Sequence, residues 1–578
     1  MTDLSKKYQK KTDKQHILDN PDTYIGSVEN VEQDMFILED NKIISKEIHY
    51  IPGLYKLFDE GIVNCRDHVI RMKKLIDEKA DNAIPVTNIG ISITDDGTIT
   101  MINDGNGIDI EKHPEYDVWI PEMIFGHLRT STNYNKDEEK IVGGKNGFGF
   151  KLVLIWSEFG EVETVDHIRK LKYKQKFSNN LDIIEKPSIS KSTVKPYTKI
   201  TFRPDYKRFY GSDTLPEDMI KLLRKRVYDI AAVTDKTVKV KLDGNAISVK
   251  TLLQYIDTYG IINRVHEQAN ERWEYAVALT PSDEFMHVSF VNGIYTSKGG
   301  KHVDYILNQI TKKMITYIEK KKKVTVSSTA IKEQLMLFVR CDIVNPAFDS
   351  QTKDYMNTPI TKFGSTCSIS DKFIDKVAKL GVMDSACEIT QVKDNKAAKK
   401  SDGKKSRSVR GIPKLIDANW AGTQYSDKCT IIFCEGDSAK AGIVSGLTTE
   451  DRNNIGVYPM RGKILNVRGE QSKKILENKE IIEIKRVLGL EANKEYGEED
   501  VKKNLRYGKI LFMTDQDLDG SHIKGLGINL FQSMWNSLSK IPGFIGFMNT
   551  PILKAKKVIM KCCFITMVNM MNGKIKII

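Results

Sequence analysis

The sequence contains no CxxC pair, and its eight cysteines are scattered over 578 residues. Neither a zinc ribbon nor a disulfide framework is indicated, and cysteines as sparse as these are typical of a reducing compartment. No apolar run approaches the ~20 residues that span a bilayer, and the first residues lack the apolar stretch of a signal peptide. We therefore expect a soluble, intracellular protein with no membrane partner.

No Gly-Lys pair in the chain is followed by Ser or Thr, which excludes a nucleotide site built on the G-x-x-x-x-G-K-[ST] loop. The chain does have enough apolar sequence to bury a core, with 40% hydrophobic and 29% charged residues. Its length suits about four domains of ~150 residues. The 89 Lys and Arg exceed the 76 Asp and Glu by 13, and this excess permits a polyanionic partner without requiring one.

Three polar residues share one face of a predicted helix near the N-terminus. Apolar residues at helical spacing predict a helix over residues 54–80. Glu60, Asn64 and Asp67 fall on one side of it, at i, i+4 and i+7. Taken alone, this pattern is also typical of a solvated helix face.

The segments that follow this helix favour a ligand site. Alternating apolar residues over 89–101 predict a β-hairpin with a tight turn at Asp96-Gly97, and Asn103-Asp-Gly-Asn-Gly107 comes where its second strand ends. Glycines at that point let the backbone approach a flat ligand closely. A Gly-rich loop over 144–151 leads into an apolar run, and backbone N–H groups at a helix start can cradle an anion. Together the helix, the turn and the loop predict a nucleotide pocket.

Two short apolar runs in the C-terminal part each end in an acid. The run 429–434 ends at Glu435, and the run 510–514 ends at Asp515. This pattern predicts two buried strands of an α/β domain, each with a carboxylate at its C-terminal edge.

The second of these acids begins a group of three. Asp515, Asp517 and Asp519 are spaced at i, i+2 and i+4, which predicts that they point to one side of an extended segment. Three like charges repel each other there unless a cation intervenes. An EF-hand is excluded because Leu526 stands where its bidentate Glu is required, so the acids favour Mg²⁺ together with phosphate oxygens. An acidic turn is the alternative.

Two basic segments each have two interpretations. Residues 396–410 show no apolar periodicity and are interpreted as an exposed linker, either a solvated basic loop or a targeting or DNA-contacting segment. The four lysines at 320–323 fit either a solvated loop or a contact with nucleic-acid phosphates.

Several segments resemble eukaryotic-type DNA topoisomerase II, a family of type IIA topoisomerases. In the N-terminal part they are Tyr8-Gln-Lys-Lys-Thr, Pro21-Asp-Thr-Tyr-Ile-Gly-Ser and Pro52-Gly-Leu-Tyr-Lys-Leu-Phe-Asp-Glu. In the C-terminal part they are Glu435-Gly-Asp-Ser-Ala and Asp515-Gln-Asp-Leu-Asp-Gly-Ser-His-Ile-Lys-Gly-Leu. The resemblance runs from about Tyr8 to Lys557.

This resemblance implies a multidomain fold of the α+β and α/β classes. The implied parts are a GHKL (Bergerat) ATPase α/β sandwich over 1–238, a transducer domain of the ribosomal S5-like α+β type over 239–385, a linker over 386–428, a Rossmann-like TOPRIM domain over 429–545 and a truncated or divergent tail over 546–578.

At the first site the resemblance implies ATP and Mg²⁺ as cofactors. Glu60 would be the general base, Asn64 a ligand of the Mg²⁺ that bridges the phosphates, and Asn103 the contact to adenine. Phe348-Asp-Ser-Gln-Thr-Lys353 resembles the family's QTK loop, from which Gln351 and the catalytic Lys353 would reach the γ-phosphate. The other implied ATP contacts are Ser131, Thr132, Asn133, Gly144, Lys145, Asn146, Gly147, Phe148, Gly149, Phe150 and Lys151.

At the second site the resemblance implies that Glu435, Asp515 and Asp517 bind the catalytic Mg²⁺, with Asp519 at a second or alternative metal position. Pro459-Met-Arg-Gly-Lys-Ile-Leu-Asn466 resembles the family's PLRGKILN segment, which contacts DNA. The implied DNA contacts are Arg461, Lys463 and Asn466, together with Lys320, Lys321, Lys322 and Lys323 on a transducer loop that faces transported DNA.

The family implies an ATP-dependent isomerase that passes one DNA duplex through another and dimerises through its ATPase domains. After Lys557 the sequence departs from the family and no winged-helix tyrosine follows, so we expect this chain to hydrolyse ATP and bind DNA without breaking a duplex alone. Either a second subunit carries the tyrosine, or the reading frame is truncated or frameshifted. The implied location is the nucleus of a eukaryote, or the host cell or virion of a virus.

Three other functions compete with this one. A GHKL chaperone or mismatch-repair ATPase would lack the acids at 435 and 515–519, and a TOPRIM primase or nuclease would lack the first site. A non-enzymatic remnant would keep both motifs but would not turn over ATP.

Overall fold

The computed structural model describes residues 8, 10–128, 130, 140–144, 149–282, 284–409, 411–470, 472–549, 553–557 and 560–564. The chain divides into two compact units, Met1–Ala386 and Cys387–Ile578. The domain boundaries predicted at residues 238, 428 and 545 stay predictions. None of the described helices is both long enough and apolar enough to cross a membrane.

The N-terminal part of the first unit is built on a large mixed sheet. Its strands, with a preceding hairpin, are β1 Val31–Glu39, β2 Lys42–Tyr50, β3 Asn88–Ile93, β4 Ile99–Asp104, β5 Ser157–Asp166, β6 Leu171–Ser178, β7 Ile183–Ile184, β8 Ser188–Lys191, β9 Tyr197–Pro204, β10 Lys239–Leu242 and β11 Asn245–Ala246. Strands β1 and β2 pair with each other, and the other nine form the sheet in the order β11-β10-β3-β4-β9-β5-β6-β7, with β8 on β6.

The helices of this unit lie between and after these strands. They are α1 Asp13–Asp19, α2 Pro21–Tyr24, α3 Pro52–Asp77, α4 Ile120–Gly126, α5 Gly149–Ile155, α6 Tyr206–Tyr210, α7 Glu217–Val233, α8 Leu252–Asp257, α9 Lys301–Lys322, α10 Ser328–Lys332, α11 Asp371–Val377 and α12 Met383–Lys400, the last of which continues into the second unit. A 3₁₀ turn occupies Ile360–Lys362 and a π turn Ala378–Val382.

The helix that carries the first motif forms where the sequence predicts it. Helix α3 begins at Pro52, where a missing N–H costs nothing because the first turn has no intrahelical acceptor for it. Leu54, Leu57 and Phe58 are buried in the same core as Ile89 of β3. One face of α3 is thus held against the sheet.

The predicted hairpin is confirmed, since β3 and β4 pair antiparallel with Ile91 opposite Met101. Its loop is longer than the predicted Asp96-Gly97 turn. The Thr94 N–H donates to the Thr98 carbonyl at 3.0 Å, which leaves three residues in the loop. Gly97 has a φ of 79°, the left-handed conformation that follows a type I turn in such loops and that favours glycine.

A second sheet follows in the first unit. Its strands, with a short parallel pair beside them, are β12 Arg264–Asn270, β13 Trp273–Leu279, β14 Met286–Val291, β15 Ile294–Tyr295, β16 Gly299–Gly300, β17 Leu335–Cys341 and β18 Tyr355–Met356. The order is β12-β13-β17-β14-β15, while β16 pairs with β18. Helix α9 begins directly after β16 and buries Ile306, Ile310 and Met314 along one side.

The second unit contains a parallel sheet of four strands. They are β19 Thr430–Glu435, β20 Ile455–Met460, β21 Lys509–Thr514 and β22 Ile545–Asn549, in the order β20-β19-β21-β22. The two buried strands predicted from the apolar runs are therefore direct neighbours. Strand β22 continues past the predicted boundary at residue 545, and an antiparallel pair follows it, β23 Leu553–Lys557 with β24 Met560–Phe564.

The helices of the second unit alternate with its strands, as in other parallel sheets. They are α13 Gly436–Gly446, α14 Asp451–Asn454, α15 Ser472–Glu477, α16 Lys479–Leu488, α17 Glu498–Asn504, α18 Leu518–Met534 and α19 Asn536–Ser539, with a 3₁₀ turn at Ser426–Lys428.

The prediction of an exposed linker over 396–410 is wrong for residues 396–403, whereas Lys404 and residues 406–408 are exposed and lie outside helices and strands. Helix α12 continues to Lys400, and Ala398 and Ser401 are buried. Lys485 of α16, also buried, donates to the Ala398 carbonyl at 3.1 Å, Ser401 Oγ at 2.8 Å and Asp402 Oδ1 at 2.9 Å. The prediction failed because the hydrogen bonds of Lys485 hold this segment, and hydrogen bonds leave no apolar periodicity in the sequence.

Candidate functional site

The centre of the first site is the carboxylate of Glu60 on α3. Lys353, which the sequence places in a distant loop, donates its ammonium to Glu60 Oε1 at 2.7 Å, and Lys56 Nζ lies 3.1 Å from the same oxygen. All three side chains are buried. Lys353 adopts a left-handed backbone conformation with a φ of 62°. The structure therefore brings together the two residues for which the family resemblance implies catalytic roles.

Two opposing effects act on the Glu60 carboxyl. Burial raises its pKa, but the charges of Lys353 and Lys56 outweigh burial, so the pKa lies below its usual value. Glu60 is therefore an anion at neutral pH, as a general base must be.

The start of α5 lies against Glu60 and Asn64. A Cβ built on Gly149 would be 3.0 Å from Glu60 Oε2 and 3.7 Å from Asn64 Nδ2. A side chain at residue 149 would thus crowd Glu60, while its Cβ would be in ordinary van der Waals contact with Asn64. Asn64 itself is half-buried.

Asp67 holds the Gly-rich segment, a role that the sequence did not indicate. Its carboxylate accepts hydrogen bonds from the N–H of Gly143 at 2.9 and 3.0 Å and from the N–H of Gly144 at 2.9 Å. Burial raises the pKa of Asp67, against the lowering effect of these N–H groups. The signal available in the sequence was only its place on the same helix face as Glu60 and Asn64.

Two predicted ATP contacts at the start of α5 are buried. Phe150 packs edge-on against Phe125 and Phe202, with centroids 5.6 and 5.7 Å apart, so it belongs to the core. Lys151 donates its ammonium to the Thr130 carbonyl at 2.6 Å, and burial lowers its pKa to about 8.

Asn103 lies at the end of β4 and is buried, and its amide donates to the Asp104 carbonyl at 3.0 Å. The Asp104 carboxylate ties this strand end to its neighbours, because it accepts from the N–H of Asn88 at 2.8 Å and pairs with Lys195 at 2.8 Å. Gln351 is half-buried two residues before Lys353. Seven predicted contacts lie outside the described residues: Ser131, Thr132, Asn133, Lys145, Asn146, Gly147 and Phe148.

The second site lies at the C-terminal edge of the parallel sheet. Glu435 ends β19, and Asp515 follows the adjacent β21. The prediction that all three aspartates share one extended segment is wrong, because α18 begins at Leu518. Asp517 caps this helix by accepting from the Gly520 N–H at 2.7 Å, and Asp519 lies in its first turn.

The acids of the second site act on each other. Burial raises the pKa of Glu435, and the charges of Asp517, Asp515 and Asp519 raise it further. Lys463 opposes this effect and forms an ion pair with Asp519 at 2.9 Å. In the part of the chain that the structure describes, no three His, Cys, Asp or Glu side chains converge as a metal-binding group. The donor chemistry nevertheless suits Mg²⁺, since a divalent cation would relieve the repulsion at Glu435.

The predicted DNA contacts differ in their surroundings. The Arg461 side chain is exposed, while its N–H donates to Glu480 at 2.8 Å. Asn466 Oδ1 accepts from Asn529 of α18 at 2.6 Å, so Asn466 and Lys463 both contact the helix that carries Asp519.

The four-lysine run does not form a loop, which corrects both of its interpretations, since one assumed a solvated loop and the other a transducer loop. Lys320, Lys321 and Lys322 complete the last turn of α9, and Lys323 is its left-handed C-cap. Cations are favoured at a helix C-terminus by the helix dipole. All four residues are exposed.

Two family models match this chain, one described as DNA gyrase B over residues 224–408 and one as Toprim domain over residues 430–548. A solved structure of the ATPase and transducer domains of DNA topoisomerase II from Balamuthia mandrillaris is 36% identical in sequence, with a TM-score of 0.63. The match covers 68% of this chain and 99% of that one. The chain belongs to the DNA topoisomerase II family.

Curated topoisomerase II relatives agree with this assignment. The DNA topoisomerase 2 of Pisum sativum is 43% identical over 569 residues, and that of Acanthamoeba polyphaga mimivirus is 44% identical over 574 residues. Each match covers 96% of this chain, but only 37% and 44% of the two relatives. The chain thus spans less than half the length of these topoisomerase II proteins.

Membership in the topoisomerase II family confirms the predicted fold class of ATPase, transducer and Toprim parts. It also excludes a chaperone, a mismatch-repair ATPase and a primase. Similarity to ATPase-domain structures and to the Toprim domain implies that this topoisomerase II chain binds a nucleotide and a metal.

Proposed function

We propose that this chain hydrolyses ATP at Glu60 and that this hydrolysis serves the Mg²⁺-dependent passage of one DNA duplex through another. The observation that carries the proposal is the contact between Glu60 and Lys353 at 2.7 Å. It places a carboxylate base and a cation at one point beside the start of α5. Hydrolysis of a phosphoanhydride needs both, because water must lose a proton while the phosphoryl group gains negative charge.

In the proposed reaction each residue has a separate task. Glu60 accepts the proton of the attacking water, and Lys353 turns toward the terminal phosphate and neutralises its charge. Asn64 would hold a Mg²⁺ that supplies further charge neutralisation across the phosphates. The N–H groups at the start of α5 would face the phosphates, since a helix N-terminus favours anions.

The base and sugar of the nucleotide are assigned to other segments. We assign adenine to Asn103 at the end of β4, and ribose and phosphates to residues 131–133 and 144–151. Gln351 would bind the terminal phosphate together with Lys353. Phe150 contributes to packing in this proposal, because it lies in the core.

The second unit would bind Mg²⁺ and DNA. Glu435, Asp515 and Asp517 are the proposed ligands, with Asp519 as an alternative ligand once it releases Lys463. The ion would supply charge neutralisation at a phosphodiester. The proposed contacts to the DNA backbone in this unit are Arg461, Lys463 and Asn466, and those in the first unit are Lys320–Lys323. The lysines and the arginine would supply positive charge that attracts phosphates of any sequence.

Strand passage requires more than this chain. Two copies would dimerise through their ATPase domains when ATP binds, and a winged-helix tyrosine would supply the nucleophile. That tyrosine would lie on a further part of the same protein or on a separate subunit. The enzyme would act on double-stranded DNA in a nucleus or at a site of viral replication.

The proposal is tested by measuring ATP turnover of the purified chain with Mg²⁺, with and without plasmid DNA. Turnover that requires Glu60 and that DNA stimulates supports it. Relaxation of the plasmid should appear only when a tyrosine-bearing partner is added. No turnover under any condition would reject ATP hydrolysis, and turnover without relaxation in the reconstituted enzyme would reduce the function to an ATPase.

A further inference from the structure

A chain of buried charges runs from Glu60 along α3 to Arg226 of α7. Lys56, which lies 3.1 Å from Glu60 Oε1, also donates to Asp59 Oδ2 at 2.8 Å. The other Asp59 oxygen accepts from Arg226 Nε of α7 at 2.7 Å. These four residues are between 0% and 6% exposed, so no bulk water is available to replace a lost partner.

Arg226 is fixed from two sides. Its Nη2 donates to the Gly293 carbonyl, in the turn between β14 and β15, at 2.6 Å. Its Nη1 lies 3.8 Å from Asp229 of the same helix. Because a guanidinium is planar and always charged, these contacts fix the direction in which it holds Asp59.

Asp59 and Glu60 both contact Lys56. The strength of the Arg226–Asp59 interaction therefore determines how strongly Lys56 can interact with Glu60. We propose that Arg226 and Asp59 are positioning residues for ATP hydrolysis and act on the Glu60 carboxylate through Lys56. Arg226 satisfies one Asp59 oxygen, so Lys56 can stay between the two carboxylates. The inference rests on the proposed role of Glu60 as the base.

The geometry predicts opposite effects for the two residues. The charged groups that act on Glu60 are Lys353, Lys56 and Asp59, of which the lysines lower its pKa and Asp59 raises it. In Arg226→Gln, Asp59 loses Arg226 and keeps Lys56 as its close cation. Lys56 then interacts more strongly with Asp59 and less strongly with Glu60, so the pKa of Glu60 rises. In Asp59→Asn, Lys56 is left entirely to Glu60, and the pKa falls.

The test is the pH dependence of kcat for the full chain, together with direct ATP binding. Because a small misplacement of a base is costly, kcat should fall about 10- to 100-fold in Arg226→Gln and in Asp59→Asn, with ATP affinity unchanged. The acid limb of the profile should move to higher pH in the first variant and to lower pH in the second. In the double variant it should return toward the wild-type position. Shifts in one direction, or no shift, would overturn the proposal.

Arg66 provides a matched control. It is 2% exposed, donates through Nη2 to Asp342 at 2.8 Å and through Nε to the Val233 carbonyl at 3.2 Å. Like Arg226, it has an Nη1 without a hydrogen-bond partner among the described residues. Arg66→Gln should therefore lower the Tm as Arg226→Gln does, and yet leave the acid limb in place. If Arg66→Gln moves the acid limb as Arg226→Gln does, the shift comes from a general loss of packing, and the proposal fails.

A cycle of thermal unfolding experiments tests the link without turnover. Arg226→Gln combined with Glu60→Gln should change the Tm non-additively, whereas Arg66→Gln with Glu60→Gln should be additive. Additivity in the Arg226 cycle rejects the positioning role. If the wild-type chain binds ATP but does not hydrolyse it, the proposed function fails, while this cycle still decides whether Arg226 acts on Glu60.

Discussion

Lys353 donates a hydrogen bond to Glu60 at 2.7 Å, although 293 residues separate them in the chain. The contact joins helix α3 to the loop that follows β17. Each residue is a buried charge, and each would be costly to bury without the other. A terminal phosphate at this point would compete with Glu60 for the lysine, which links nucleotide binding to release of the base.

Replacing Glu60 should separate ATP binding from hydrolysis. Glu60→Ala and the isosteric Glu60→Gln both remove the proton acceptor, so turnover should fall about 10²- to 10⁴-fold while ATP still binds. Turnover is measured by phosphate release and binding by calorimetry. Glu60→Gln keeps the side-chain volume and controls for the cavity left by alanine. Undiminished turnover in both variants would reject the base assignment.

Replacing Lys353 should shift the pH profile of hydrolysis. The Lys353 charge is the largest influence that lowers the pKa of Glu60, so Lys353→Met should raise this pKa. Because the base must be ionised, the acid limb of kcat should move to higher pH. Lys353→Arg keeps the charge and should leave the limb near its wild-type position. A shift to lower pH in Lys353→Met would contradict the geometry.

Lys151 should make stability depend on alkaline pH. Burial lowers its pKa from 10.5 to about 8, so below about pH 8 the folded chain carries the full cost of a buried ammonium. Between about pH 8 and 10.5 the unfolded chain binds more protons than the folded one, and stability should rise with pH. Lys151→Met should remove this rise. The Tm of the wild-type protein and of Lys151→Met is measured from pH 7 to 10.5. If the two Tm curves run parallel, the pKa of Lys151 is not lowered as stated.

We expect Asp517 both to cap α18 and to bind the metal ion, and two substitutions can separate these roles. Asp517→Ala loses the cap of α18 and should cost about 1 kcal/mol of stability, whereas Asp517→Asn keeps a capping oxygen. Both variants should lose metal-dependent DNA cleavage in an enzyme reconstituted with a tyrosine-bearing partner, and both should keep DNA-independent ATPase activity. Normal cleavage by Asp517→Asn would mean that this residue is not a metal ligand.

Lys485 should stabilise the second unit. Lys485→Met removes a buried cation, while Asp402 keeps the N–H of Ala492 and the Ala398 carbonyl keeps the Ser401 hydroxyl as donors, so the loss should be about 1–3 kcal/mol. Denaturant unfolding measures this loss of stability. Limited proteolysis after residue 400 should also be faster in Lys485→Met than in the wild type. Lys474→Met, which removes an exposed pair with Glu470, should change stability by less than about 1 kcal/mol. Equal effects of the two substitutions would contradict the role of Lys485 as an anchor.

Local sequence patterns predicted the helices and strands better than they predicted the contacts between distant residues. The periodicity around Leu54 and Phe58 predicted α3, and alternation predicted β3 and β4, because each signal reflects one buried face of one element. No such signal reports that Asp67 binds the N–H groups of Gly143 and Gly144, since that contact depends on how distant segments pack. Lys353 became a candidate only through resemblance to the QTK loop.

Two wrong predictions had readable signals in the sequence. Asp517 precedes Ile523, Leu526 and Leu530, which are apolar residues at helical spacing, and it therefore stands at the position of an N-cap. The i, i+2, i+4 spacing of the acids instead favours an extended chain. The lysines at 320–323 follow the apolar pattern of α9, and basic residues are common in a last helical turn. In both cases the charged residues lie at a helix end, where capping and the helix dipole determine their conformation.

The distance along the chain between Glu60 and Lys353 has a consequence for biosynthesis. At a translation rate of about 5–20 residues per second, the lysine is made roughly 15 to 60 s after the glutamate. During that interval Glu60 has only Lys56 as a partner from its own helix, and the ATPase pocket cannot be completed. A polypeptide released before residue 353 would therefore lack the lysine that we propose for the γ-phosphate, and we expect it not to hydrolyse ATP.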